Sequence, residues 1–289
     1  MISAATTPDL VRLRHGTAPS PEAARLLDRA ARFDAEMGFG PPPRAASGSS
    51  SRVWVAEIET CLHRHGVRHD DDFVLAAVLT IRETSPGRGL VDLVVDPDRR
   101  SIGVATAVVE RLGVAPPAGE GWAGTGLRTL CAVAYGSHPA AERLARRFGL
   151  GTTAARSHLV RPADEGSPDG APPAEVLPLD RDGLAAPPVD DLEDEDPATV
   201  RLGTADGFAR VRPAGPDGAA AIRGIVTRGP AARRRASAVA VVGAAVAWLH
   251  DRAGSTIEAL VDADDEVLLE AFRTLHFEHD RTDLLFPLD

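Results

Sequence analysis

Apolar and polar residues along this chain alternate with periods that change from segment to segment, and the changes predict its elements. Ser20-Pro21-Glu22 has the form of a helix start: a hydroxyl N-cap, a proline whose missing N–H costs nothing there, and a carboxylate in the first turn. Leu26, Leu27, Ala30, Ala31 and Phe33 follow at helical spacing. Residues 53–58 and 73–81 read as strands that pair across the polar stretch between them. Residues 91–95 form a short, almost wholly apolar strand of the kind found at a sheet centre. After a polar turn, Val104, Val108 and Leu112 mark one face of a helix. Residues 130–134 are a further apolar strand, and SHPAAERLARRFGL is a helix stopped at Gly149.

The same order returns later. Residues 221–226 read as a strand, RGPAARRRAS as a turn, 238–250 as a helix and 256–261 as a strand. Asp264 is placed to cap a last helix carrying Val267, Leu268, Ala271 and Leu275, and RTDLLFPL reads as a final strand. Strand, proline–arginine turn, helix, strand, helix, strand thus occurs twice, an internal repeat. Two segments lack periodicity. Residues 40–52, GPPPRAASGSSSR, read as a loop; residues 162–199, with the acidic block DDLEDED, read as a linker or long surface excursion. The expected organisation is a first unit over 1–162, a spacer over 163–199 and a second, shorter unit over 200–289.

Length and composition narrow the choice. The 289 residues suit two modest domains, at roughly 150 residues each, and a hydrophobic content of 44% is enough for real cores. The longest apolar stretch, 236–249, is shorter than the roughly 18 residues that span a bilayer, and the first residues lack the basic-then-apolar pattern of a signal peptide. The expectation is a cytoplasmic protein that does not engage a membrane. Cys61 and Cys131 offer neither a disulfide framework nor zinc spacing. A net charge of −10 argues against a nucleic-acid surface. The chain contains no lysine, asparagine or glutamine, a composition typical of very GC-rich coding.

Chemistry concentrates in VDLVVDPDRRSIGVATAVVERL, where a buried strand runs through a turn into a helix. The first N–H groups of that helix have no intrahelical acceptor, and with the positive end of the helix dipole they form an anion site. Arg100 adds formal charge at its mouth, and Gly103 and Ala105 leave the backbone open to close approach. Small residues near a helix start also have a purely structural explanation, so the flanking strand and helix carry part of the argument.

With LVVDPDRRSIGVATAVV followed by LCAVAYGSHPAAERLARRFGL, the chain resembles the GNAT acetyltransferase superfamily. The double copy and the pattern AYGSHPAAERLARRFGLG…SHLVRP resemble, more narrowly, the mycothiol synthase family, tandem GNAT enzymes that acetylate the cysteinyl amine of a glucosaminyl-inositol. The resemblance implies an α/β fold of two GNAT-like domains, each a mixed twisted sheet flanked by helices, the second shortened. It implies acetyl-CoA as co-substrate, a small-molecule amine as acceptor, no metal, and direct transfer in a ternary complex. Leu93, Val94 and Val95 would pair with the pantetheine arm, and Arg100, Ser101, Ile102, Gly103, Val104 and Ala105 would hold the pyrophosphate. The second copy departs from the pattern: alanine replaces glycine in its arginine-rich turn, Ile222 stands near the place of a catalytic glutamate, and Phe272 that of a tyrosine.

Amine acylation needs a base for the ammonium proton and benefits from an acid for the leaving thiolate. Asp92, a carboxylate within an apolar strand, is the candidate base, although pairing with an arginine would also explain it. Tyr135, the chain's sole tyrosine, is the candidate acid or a packed, hydrogen-bonded core residue. Glu57 and Glu83 rank below them. The cluster His63, His65, His69, Asp70–Asp72 reads as a solvated turn before it reads as a metal site. Two other readings remain at this point: a non-catalytic protein that keeps acyl-CoA as a structural or regulatory ligand, and an N-acetyltransferase for an unrelated amine or antibiotic.

Overall fold

The computed structural model describes residues 11–39, 52–61, 73–113, 121–177, 198–215, 218–228 and 230–288. Its first half runs β1 (Val11–Gly16), α1 (Pro21–Glu36), β2 (Val53–Cys61), β3 (Phe73–Ser85), β4 (Arg88–Val95), α2 (Val104–Leu112), β5 (Thr129–Ala134), α3 (Pro139–Arg147) and β6 (Ala154–Arg161). The second runs β7 (Glu175–Leu177), β8 (Val200–Thr204), β9 (Gly207–Arg212), β10 (Ala220–Thr227), α4 (Arg234–Ala253), β11 (Ile257–Asp262), α5 (Glu266–Thr274) and β12 (Glu278–Leu288). The repeat read from the sequence is real: β4-α2-β5-α3-β6 is echoed by β10-α4-β11-α5-β12.

Local chemistry sets the helix ends. Ser20 caps α1 by accepting from the Ala23 N–H. The last helix is capped by Asp265, one residue after the expected Asp264, because the Asp265 side chain reaches the Leu268 N–H at 3.1 Å. The long helix α4 begins at Arg234, earlier than the apolar pattern indicates. Arg234 and Arg235 are held there by Asp265 and Glu270, at 2.6 and 2.7 Å. The segment expected as a spacer contributes β7, which pairs antiparallel with β8. The loop expected at 40–52 lies almost wholly outside the described residues, as does the acidic block near 190.

All twelve strands among the described residues join one sheet in the order β1-β2-β3-β4-β5-β12-β6-β11-β10-β9-β8-β7. The two halves trade their last strands. β12, from the second half, lies between β5 and β6 of the first, while β6 lies between β12 and β11. Neither half therefore closes its sheet alone. Arg161, at the end of β6 and nearly fully buried, donates to the Leu275 carbonyl after α5 and to the carbonyls of Glu165 and Gly166.

Side-chain alternation along each strand divides the core between two faces. On β4, Val91, Leu93 and Val95 pack in the cluster of α2, with Val104 and Val108. Val94 packs instead with Ala23 and Leu26 of α1. Asp92, two residues from Val94, is thus on the α1 face. In the second half, α4 and α5 cover β8–β11 through Val242, Ala245, Val246, Leu249 and Phe272. No described helix is long and apolar enough to cross a membrane.

Candidate active site at the splay of the fourth and fifth strands

β4 and β5 are parallel neighbours only from Arg88↔Thr129 to Val91↔Ala132. Beyond that pair they part, while β4 remains bonded to β3 through Val95↔Ala77. Burial records the same opening: residues 89–91 are buried, and Asp92, Leu93, Val94 and Val95 are partly buried. A strand edge released on one side is a template for an extended ligand that bonds to its backbone. The expected pantetheine-binding residues Leu93, Val94 and Val95 lie on this released edge.

The turn after β4 is tethered to α1 at two points. Asp96, buried, caps the 3-10 turn Pro97–Arg99 through the Asp98 N–H and pairs with Arg29 of α1. Arg100 forks onto both carboxylate oxygens of Asp34 of α1 and donates through Nε to the Val95 carbonyl at 3.2 Å. Its neighbour Arg99 makes no ion pair among the described residues, and its Nε is buried without a hydrogen-bond partner. Arg99 is therefore the guanidinium not already committed to protein carboxylates. Sequence alone does not distinguish the two adjacent arginines; the position of Asp34 does.

Ser101 and Gly103 both have left-handed backbone, with φ of 66° and 93°. Gly103 is the N-cap of α2 and supplies no capping side chain, nor does the first turn contain a carboxylate. The leading amides of α2, those of Val104 and Ala105 among them, are left to an external acceptor. Ile102, flanked by the two left-handed residues, is largely exposed. The turn is thus an open nest of N–H groups at the positive end of a helix, the geometry that binds phosphate.

The two candidate catalytic side chains meet. Tyr135, the residue after β5, donates its hydroxyl to Asp92 Oδ1 at 2.9 Å across the mouth of the splay. Burial pushes the Asp92 carboxyl above its ordinary range, opposed by the Arg82 charge and the Tyr135 hydrogen bond. Burial and the Asp92 charge push the Tyr135 phenol well above 10, so it stays protonated and donating. Glu57, by contrast, is consumed structurally by Arg14 and the Ser20 N–H, and Glu83 by Arg52.

No family model matches the sequence, and no curated protein matches it. Solved structures do. The chain is similar to a GCN5-related N-acetyltransferase from Sphaerobacter thermophilus, with a TM-score of 0.59 and 16% identity over 98% of this chain and 96% of that one. It is similar to a tandem GNAT protein from the clavulanic acid biosynthesis pathway, with a TM-score of 0.57 and 16% identity over 96% and 98%. A putative acetyltransferase from Pyrococcus horikoshii follows, with a TM-score of 0.51 and 10% identity over 96% and 89%. The chain has the tandem GNAT fold.

Its second unit repeats the splay and follows it with a different turn. β10 and β11 pair only over Ala220–Ile222, and burial falls away after Ile222 as it does after Val91. The following turn has six residues, 228–233, against eight, 96–103, in the first unit. The N-cap of α4 is Arg233, a right-handed residue that makes no side-chain capping bond. Asp206 stands beside its first turn, accepting from Ser237 Oγ at 3.2 Å, and opposes an incoming anion. Arg234 and Arg235 are occupied by α5, so they serve helix packing. Ile222 and Phe272 are buried core residues, the latter edge-on to Phe277. The histidine cluster at 63–69 lies outside the described residues. Among the described residues, no group of three or more His, Cys, Asp or Glu side chains is placed to hold a metal.

Proposed function

We propose that the chain is a cytoplasmic, acetyl-CoA-dependent N-acetyltransferase for a small amine, working from its first GNAT unit. The observation that carries this reading is the Asp92–Tyr135 hydrogen bond at a strand splay, beside a left-handed glycine turn that opens a helix. The donor's pantetheine arm pairs with Leu93, Val94 and Val95, and its pyrophosphate takes the amides from Ser101 to Ala105 with Arg99 as counter-charge. Arg100 orders the turn by binding Asp34 and joins the phosphates only by leaving it. The second unit, from residue 200, serves as a partner that completes the sheet.

In the reaction, the amine nitrogen attacks the thioester carbonyl, a C–N bond forms and the C–S bond breaks. Asp92 takes the ammonium proton; its raised pKa makes it a better base than an ordinary carboxylate. Once protonated, Asp92 releases its hold on the phenol, and Tyr135 becomes the donor for the departing thiolate. The acceptor implied by the resemblance to mycothiol synthase, the cysteinyl amine of a glucosaminyl-inositol, heads the panel to assay.

The test is thiol release from acetyl-CoA across a panel of small amines, for the native chain and Tyr135→Phe. The substitution is expected to lower kcat by about 10- to 100-fold, within or just below the usual range for acid–base assistance. It also removes a hydrogen bond that lowers the Asp92 pKa. The acid limb of the kcat/KM profile therefore moves to higher pH. Native kcat and an unmoved acid limb in Tyr135→Phe would refute the assignment of the pair.

A further inference from the structure

Where β4 and β5 part, β5 keeps a neighbour on one side only, and that neighbour is β12 of the second unit. The last paired residues are Leu284↔Ala134 and Leu285↔Val133. One register step further brings Asp283 opposite Tyr135, on the face away from the Ala134 and Leu284 contacts with α3. Asp283 is almost fully buried and accepts the Gly136 N–H at 2.8 Å, immediately after Tyr135. Ser137 Oγ donates to the Thr282 carbonyl at 2.8 Å. Gly136 and Ser137 are consecutive left-handed residues, so the backbone turns sharply just past Tyr135 and both arms of the turn are tied to β12.

A β-bulge supports this clamp. The β12–β6 register shifts between His279 and Arg281, which leaves Asp280 as an extra residue. Bulges re-aim side chains, and here Asp280 and Arg281 act together. Arg281 donates Nε to Asp283 at 3.2 Å and pairs with Asp280 at 3.1 Å. Asp280 meets His158 Nδ1 of β6 at 2.9 Å, and His158 Nε2 lies 3.7 Å from Glu258 of β11. A chain of polar contacts therefore runs from β11 of the second unit, across the seam, to the backbone that carries Tyr135.

We propose that Asp283 is a positioning residue for the first unit's active site, through which the second unit holds Tyr135 against Asp92. This rests on the functional reading above, yet its structural part has an independent readout, because Tyr135 is the chain's sole tyrosine. In the full chain carrying 13C-labelled tyrosine, one ring signal reports this residue alone. Asp283 also contributes negative charge that raises the Tyr135 pKa.

Asp283→Asn keeps an oxygen for the Gly136 N–H but loses the charge that Arg281 binds. It is expected to shift the tyrosine signal, lower the pH at which the phenol ionises, and reduce kcat several-fold while KM for acetyl-CoA holds. Asp283→Ala, with no acceptor left, should move all three further in the same direction. Ser137→Ala removes the second tie without touching the buried carboxylate and serves if the Asp283 variants fail to fold; a smaller displacement of the signal is expected. Glu270→Gln, on α5 and paired with Arg235 rather than with the clamp, should leave the signal in place. A tyrosine signal at its native position in Asp283→Asn, or in Ser137→Ala if that variant alone folds, overturns the proposal. If the signal moves but the native chain transfers no acetyl group, the clamp stands and the enzymatic reading falls.

Discussion

With Asp92 replaced by asparagine, kcat is expected to fall by about 10²- to 10⁴-fold, the range for loss of general acid–base assistance. KM for acetyl-CoA should hold, because in the proposed reading the donor takes the turn at 101–105 and the β4 backbone. The same substitution should make the protein more stable at neutral pH. Burial holds the Asp92 carboxyl above its ordinary range, so in the interval between the ordinary and folded values the folded chain binds more protons than the unfolded one. Stability then falls as pH rises through that interval and stays lowered above it. Asparagine removes this penalty while keeping an oxygen for the Tyr135 hydroxyl. Thermal melts should therefore place the variant above native protein at pH 7, with the gap closing as pH drops below the ordinary carboxylate range. A variant that melts lower at pH 7 and transfers at the native rate would mark Asp92 as a structural partner of Arg82 and Tyr135.

Gly103→Glu should abolish acetyl-CoA binding, with a loss of at least about 100-fold, since it sets a carboxylate among the amides that would receive a phosphate. The fold should survive. A Cβ at Gly103 meets no heavy atom within 4 Å, so the cost in the free protein is that of a left-handed backbone at φ 93°. That cost is about 1–2 kcal/mol for a residue with a Cβ. Gly103→Ala carries the same backbone cost without the charge and separates the two effects: it should bind, more weakly than native protein. Equal binding by all three, measured by calorimetry, would remove the turn from the site.

Much of this architecture is legible in the residues themselves. Helical spacing, Ser20 and the apolar strands at 91–95 and 130–134 announce their elements because each buries one face or both in a single core. Strands β1, β6, β8 and β9 are harder to see: VRLRHG, AARSHLVR, VRLGT and GFARVR interleave their apolar residues with arginines, whose stems pack while their charged ends find partners. Arg201 over the Phe208 ring, at 3.9 Å, is one such case. The exchange of β6 and β12 leaves no local mark, since the apolar pattern of a strand does not name its neighbours. At the site, Asp92, Tyr135 and Gly103 are conspicuous by type and position. Asp34, Asp283 and Arg281 are not, because their roles depend on strands and helices that only the tertiary fold brings alongside.

The proposed division of labour between the two units rests on their turns. Both halves splay their central strands, but among the described residues it is the first that couples the splay to a left-handed glycine, unencumbered amides and an uncommitted arginine. The second places Asp206 at the corresponding helix start and commits Arg234 and Arg235 to α5. The most direct test is a calorimetric titration of acetyl-CoA into the full chain. One equivalent bound per chain is the expected result. Two equivalents would place a working donor site in the second unit as well, and no binding to the native chain would contradict the assignment of the first.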